Sequence, residues 1–319
     1  MRGADFVYEV KFERGKLNKI SDVPGIKVGH STFVSEDPRI VTGVTVILPH
    51  EGCVYDERLF ASYFVLNGYG KSTGFIQVEE TGLLETPVVL TGTMNVGRMW
   101  DCTAGYVVSK TSAKSVNPVI LECNDTRMGK SERRVLRCEH FNEALRNAKE
   151  DFELGCVGAG AGMVTFGYKS GIGSSSRIVG NYTVGALAMP NFGSKEDFGS
   201  IIILVATNAP LVPYQLRRLS VRASLAIPKI GGKVRHRSGD IVFSFSTAHK
   251  LPRDGSVNLR YIVDDSKLFQ DLLEAVIETS YEAVVDSLVN GCDVVGRDGK
   301  KYRKIPLEEL SEKLRRHSL

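Results

Sequence analysis

The chain has 319 residues, 42% of them hydrophobic and 24% charged, with 32 glycines and a formal net charge of +4. That length buries a sizeable core yet is short for two full domains, so one catalytic domain over 1–319 is expected, with a basic C-terminal extension at 293–319. The weak charge bias carries no basic stripe interleaved with aromatics, which speaks against nucleic acid as a partner, and the apolar runs are too short for a membrane-spanning helix.

In chain order, "MRGADFVYEVKFERGK" mixes charged and apolar residues without an h-region, so no secretory signal is read and a cytoplasmic location is expected. "GVTVILP" (43–49), "TPVVLTG" (86–92), "NPVILEC" (117–123) and "YTVGALAMP" (182–190) have the character of buried strands. Between the first two, "DERLFASYFVLNGYG" reads as a short helix ended by glycine, and residues 94–112 and 132–149 as two more helices. The glycine- and serine-rich stretch Gly155–Gly180 reads as close-packed turns or a loop.

A strand follows Ser200, then a helix over 213–227 and a strand over 239–247. Leu268, Leu272, Leu273, Val276 and Ile277 keep helical spacing in an amphipathic helix over 266–289, which Gly291 can end. "GRDGKKY" has the form of a hairpin turn and "IPLEELSEKLRRH" of a final helix. Strands and helices interleave without a regular βαβ beat, which predicts α+β layers. The six cysteines lack any C-x-x-C pair, and a chain of this size does not need staples, so reduced thiols are expected.

Familiar cofactor motifs fail on inspection. "NGYGKST" has Val65 where a phosphate-binding loop needs its first glycine, and "CVGAGAGM" puts Met163 where a dinucleotide fingerprint needs its third. The histidines offer no metal-ligand spacing, with "CEH" (138–140) the nearest approach to a cluster, and no G-x-S-x-G elbow occurs. No metal and no cofactor are therefore expected. What remains is "GSIIILVA" (199–206), a Gly-Ser pair at the mouth of an apolar strand. Attack of the Ser200 hydroxyl on the Gly199 carbonyl would give an ester by an N-to-O acyl shift. Its hydrolysis would free an α-amine of pKa about 8, suited to general-base work. One residue would then supply both nucleophile and base. The plainer reading is a turn feeding a core strand.

The order of motifs decides between them. "ISDVPGIKVGHST", "GVTVILP", "FVLNGYGKSTG", "GLLETPVVLTGT", "GAGAGM", "GIGSSSR", "YTVGAL", "NFG", "GSIIILVATNAPLVPYQLRRL" and "SGDIVFSFST" closely resemble, in this order over about residues 19–249, the L-aminopeptidase/D-esterase family, which includes the DmpA-type and β-amino-acid-specific aminopeptidases. The resemblance implies an α+β, four-layer αββα sandwich of the N-terminal-nucleophile kind. It also implies self-cleavage before Ser200 into chains 1–199 and 200–319, and a homo-oligomer of the cleaved heterodimers. The substrates implied are short peptides and aminoacyl amides or esters.

Residue by residue, Ser200 matches the family's nucleophile, and Gly199 the residue before the cut. Ser238 and Asp240 of "SGD" match a serine and a carboxylate beside it, Asn191 of "NFG" an oxyanion donor, and Glu122 of "LECND" the carboxylate that binds the substrate's ammonium. Each has a structural alternative: Asp240 and Asn191 as turn residues, Glu122 as a partner for Arg127. Asn124 stands where some members carry a tyrosine and is left out of the catalytic set. The chain departs from its relatives in the short linker "SKEDFGS" and in Lys71, where an acidic residue is common. Two other functions share the motifs: an acyltransferase that passes the acyl group to an amine, and a non-cleaving binding or scaffold protein. The related ornithine acetyltransferases use threonine, against Ser200 here.

Overall fold

A computed structural model describes residues 1–8, 10–193, 198–297 and 299–317. Its first part contains β1 (Lys27–Glu36), β2 (Arg39–Leu48), β3 (Arg58–Gly68), α1 (Phe75–Thr81), β4 (Leu83–Leu84), β5 (Val88–Gly92), α2 (Val96–Lys110), β6 (Val119–Cys123) and α3 (Cys138–Arg146). Then come β7 (Val164–Thr165), β8 (Tyr168–Lys169), β9 (Gly173–Val179), β10 (Tyr182–Asn191), β11 (Phe198–Thr207), α4 (Pro213–Ala223), α5 (Ala226–Lys229), β12 (Arg237–Leu251), α6 (Lys267–Val289), β13 (Val294–Val295), β14 (Lys301–Tyr302) and α7 (Leu307–His317).

Two larger sheets form, with strand orders β1-β2-β5-β6 and β4-β3-β12-β11-β10-β9. The second is antiparallel except where β11 lies parallel to β12. Because side chains alternate along a strand, β11 serves two cores at once. Ile201, Ile203 and Val205 pack with residues of α4 and α6, whereas Ile202, Leu204 and Ala206 face Val28, Val88, Leu90 and Leu121 of the other sheet. That other sheet turns Val44, Val46, Val89 and Ile120 outward onto Met99 of α2 and Phe141 and Ala144 of α3. The layers are thus helix, sheet, sheet, helix. Each fully buried aliphatic side chain contributes about 2 kcal/mol relative to exposure, which is why near-continuous apolar runs settle in the middle layers.

The long helix α6 starts where the Ser266 Oγ accepts a hydrogen bond from the Phe269 N–H at 3.2 Å. The C-terminal residues pack onto the body as edge elements: Tyr302 against Val41 and Met128, and Leu310 and Leu314 of α7 against the helix-side core. No helix among the described residues is long and apolar enough to cross a membrane.

Three expectations are corrected. The segment 56–70, read as a helix, is largely strand β3, paired with β12 along most of its length. Its aromatic and β-branched residues favour a sheet position, and the charged start that imitated a helix N-terminus lies ahead of the strand. Within Gly155–Gly180, read as turns or a loop, Gly158–Gly162 is a 3-10 turn and Gly173–Val179 is strand β9. This strand is polar yet buried. Ser174 donates to the Ala186 carbonyl and Ser175 to the Thr279 carbonyl, both at 2.6 Å, and Arg177 pairs with Glu278 and Glu282 of α6. Finally, four of the six cysteines form disulfides, Cys102–Cys138 and Cys156–Cys292, leaving Cys53 and Cys123 free. The fold brings together residues 36 and 136 apart in sequence, a proximity that spacing does not encode.

Candidate active site

Ser200 is the third residue of β11 and 4% exposed. Across the antiparallel register it stands opposite Asn191, the last residue of β10, and across the parallel register beside Gly239 of β12. The even-numbered side chains of β11 face the space between the sheets, so the Ser200 hydroxyl points toward the end of β6. Its neighbour there is the Cys123 thiol, which donates to the Met189 carbonyl at 3.3 Å. Burial, and secondarily the charge of Glu122, pushes that thiol well above its ordinary pKa, so it stays neutral. Among the described residues the Ser200 Oγ makes no hydrogen bond of ordinary geometry, its polar neighbour being the Cys123 thiol. A buried hydroxyl without one is unusual enough to require an explanation.

Asn191 is held from both ends of its amide. Its Oδ1 accepts from the Val164 N–H at 3.0 Å and its Nδ2 donates to the Asn124 carbonyl at 2.7 Å. One Nδ2 hydrogen is thereby left for a ligand on the Ser200 side. Glu122, 4% exposed on β6, accepts from the Lys71 backbone N–H at 2.9 Å and from the Thr93 hydroxyl. Neutral donors on both oxygens leave its negative charge available to a cation. Glu122, Asn124, Thr93, Tyr69, Lys71, Arg237, Gly199 and Ser200 line one cleft of about 20 Å³, room for about one water.

Ser238 and Asp240 lie on the adjacent strand but on its opposite face, the one shared with Val242 and Ser244. Ser238 pairs with Gly199, and a Cβ built on Gly199 would sit 3.3 Å from the Ser238 Oγ. The Ser238 hydroxyl donates to Asp240 Oδ1 at 2.6 Å, while Oδ2 has no partner among the described residues. Burial pushes the Asp240 carboxyl up to about 6, against the pull of the Ser238 hydrogen bond. The Gly199–Ser200 peptide therefore passes between two polar groups, Asn191 with Glu122 on one side and Ser238 with Asp240 on the other. The linker residues 194–197 lie outside the described residues.

The model of the family described as peptidase family S58 matches residues 18–302. The chain belongs to peptidase family S58. Like it is the beta-peptidyl aminopeptidase BapA of Sphingosinicella xenopeptidilytica, 33% identical over 93% of this chain and 87% of that protein. Among solved structures, the PH0078 protein of Pyrococcus horikoshii OT3 superposes with a TM-score of 0.92 at 38% identity, covering 99% of each chain. The L-aminopeptidase D-Ala-esterase/amidase of Ochrobactrum anthropi, a prototype serine aminopeptidase, superposes at 0.90 with 29% identity over 99% of this chain and 98% of that one. This S58 chain is thus a hydrolase of an aminopeptidase family, and its stacked layers are a variant of the Ntn hydrolase fold. The match reaches through the β13–β14 hairpin, beyond the motifs that end near residue 249.

Two residues that support the site, Asp125 of "LECND" and Thr93 of "GLLETPVVLTGT", lie within quoted motifs that do not single them out. Asp125 is fully buried, accepts from the Thr42 and Ser131 hydroxyls at 2.5 and 2.8 Å, and is pushed above its ordinary pKa by burial. A Cβ on Gly92 would lie 2.0 Å from its carboxylate and one on Gly162 2.3 Å from its Cβ, so both positions require glycine. Asp125 thereby fixes the turn that carries Asn124. Thr93 holds Glu122 through its hydroxyl.

Asp240 gives a testable pH effect. Its pKa rises on folding from 3.8 to about 6, so the folded state keeps the proton longer than the unfolded state. The associated stability is complete below about pH 4 and is lost as pH rises through 6, a change of roughly 3 kcal/mol. In an uncut Ser200→Ala background, Asp240→Asn is expected to match its parent in urea melts at pH 4 and exceed it at pH 8. A gap that does not vary with pH would refute the assignment.

Proposed function

We propose that the chain is a self-processing serine aminopeptidase that releases N-terminal residues from short peptides, amides or esters through an acyl-enzyme on Ser200. The observation that carries this reading is the buried Ser200 hydroxyl, directly following Gly199, opposite the Asn191 amide and lining one cleft with Glu122. In the first, intramolecular turnover the Ser200 Oγ adds to the Gly199 carbonyl, the C–N bond breaks and its nitrogen takes up the proton. Water then hydrolyses the ester, giving a carboxylate on Gly199 and a free amine on Ser200. Chains 1–199 and 200–319 result.

In later turnovers the freed amine accepts the proton of its own hydroxyl as that hydroxyl attacks substrate. Ser238 and Asp240, beside Gly199, are then placed to hold the amine and relay its proton. The free Nδ2 hydrogen of Asn191 stabilises the oxyanion, and Glu122 takes the substrate's ammonium by a charge-assisted hydrogen bond. The cleft of about 20 Å³ has no room for an aminoacyl group, which fits a precursor that opens once Gly199 withdraws. A cytoplasmic oligomer of cleaved pairs completes the proposal.

The test is the mass of purified protein, denatured and reduced, together with turnover of an aminoacyl p-nitroanilide. Two species of about 22 and 13 kDa, in proportion to chain length from 35.0 kDa, are expected, the smaller beginning at Ser200. A single full-length mass after prolonged folded incubation, with no turnover, would overturn the reading in favour of a non-cleaving binding protein. Acyl transfer to added amines in preference to water would instead identify an acyltransferase.

A further inference from the structure

The Gly199–Ser200 bond lies inside the loop closed by the Cys156–Cys292 disulfide, whose Cα atoms are 6.3 Å apart and whose cysteines are 136 residues apart. We propose that this disulfide is a covalent bond between the two chains of the mature protein, so that self-cleavage yields one disulfide-linked molecule. The inference rests on the cleavage reading above. The other disulfide, Cys102–Cys138, lies wholly within 1–199 and cannot serve in this way.

The surroundings fit a built junction. Cys156 begins the glycine-rich segment just after Gly155, whose N–H and carbonyl both pair with Ile172 at 2.7 and 2.8 Å. Cys292 follows the end of α6. Around the bond the two future chains meet backbone to backbone. A Cβ on Gly155 would lie 2.0 Å from the Asn290 carbonyl oxygen, and one on Gly291 2.1 Å from that of Lys169. These glycines let the chains approach closely enough for the sulfurs to meet. The anchored segment runs on to Val164, whose N–H orients Asn191. The link therefore ties the chain that begins with Ser200 to the segment that supports the proposed oxyanion donor.

The atoms balance simply. Cleavage adds one water and leaves both sulfurs untouched, so the linked product weighs one water more than the uncut chain. Reduction by a water-soluble phosphine oxidises phosphorus to the phosphine oxide, takes oxygen from water and leaves two thiols, and only then do the chains part on denaturation.

Protein purified without reductant and alkylated at its free thiols is denatured and weighed with and without the phosphine. Wild type is expected to give one mass, the full length plus one water, without the phosphine, and two masses with it. Cys292→Ser and Cys156→Ser are expected to give two masses in both conditions. After denaturation and dilution, recovery of activity should fall less steeply with dilution for wild type, whose paired chains stay linked, than for the serine variants. Two masses from unreduced wild type would overturn the inter-chain link while leaving self-cleavage intact. One full-length mass without added water, in the presence of the phosphine, would overturn self-cleavage and the inter-chain role with it. A non-reducing digest of Ser200→Ala separates these failures, because Cys156 and Cys292 peptides are joined there whether or not the chain can cut itself.

Discussion

Replacing Ser200 by alanine is expected to leave a single 35.0 kDa chain under reducing, denaturing conditions and to remove aminopeptidase turnover. Both losses come from one atom. Without Oγ nothing adds to the Gly199 carbonyl, and without the cut no amine is freed to act as base. Because nucleophile and base are one residue, the loss should be about 10⁴-fold or more, with no partial activity of the kind that survives when only an auxiliary group is removed. Ser200→Cys keeps a nucleophile and should cut, at a changed rate. If Ser200→Ala still yields two chains, another group breaks the bond and the assignment fails.

Removing the Asn191 amide is expected to lower kcat by about 10²–10³ with little change in KM, the loss seen when one oxyanion donor is deleted. The position also carries structure, because Asn191 binds the Val164 N–H and the Asn124 carbonyl. Asn191→Ala leaves both without that partner, at about 1–3 kcal/mol for each buried group. Asn191→Asp keeps an acceptor for Val164 but turns a buried carboxylate oxygen onto the Asn124 carbonyl and puts a negative charge where the proposed oxyanion forms, so its kcat should fall further and its melting point at least as far. Measuring kcat, KM and melting temperature for the two variants separates the roles. Losses of kcat that track the folded fraction of each variant at the assay temperature would make Asn191 a structural residue only.

Much of this architecture is legible from the residues. Apolar runs in "GVTVILP" and "YTVGALAMP" place strands of the two middle layers, and the spacing of Leu268, Leu272 and Val276 places α6. The part that was not legible has a common cause: partners distant in sequence. Strand β9 hides behind the serines of "GIGSSSR" because their hydroxyls are satisfied by carbonyls of β10 and α6, which no local pattern reports. Segment 56–70 becomes a strand because β12 is there to pair with it. The disulfides depend on the same tertiary proximity. At the site, family motifs name Ser200, Asn191, Glu122, Ser238 and Asp240, but only the sheet register shows that they divide between two faces of β11 and β12. Asp125 and Thr93 stand inside quoted motifs, but their contacts with glycines and a carboxylate appear only in the fold.

The strand order β4-β3-β12-β11-β10-β9 has a bearing on timing. β12 and all but the first two residues of β11 follow the proposed cut and lie between β3 and β10, which precede it. Made separately, the later piece would present two long apolar strands with open hydrogen-bonding edges, and the earlier piece a sheet with its centre missing, both templates for aggregation. The proposed scission must therefore come after the sheet has assembled. On the proposed mechanism, maturation is a one-way record that folding succeeded: only a chain that has already reached its native topology acquires the terminal amine that mechanism requires.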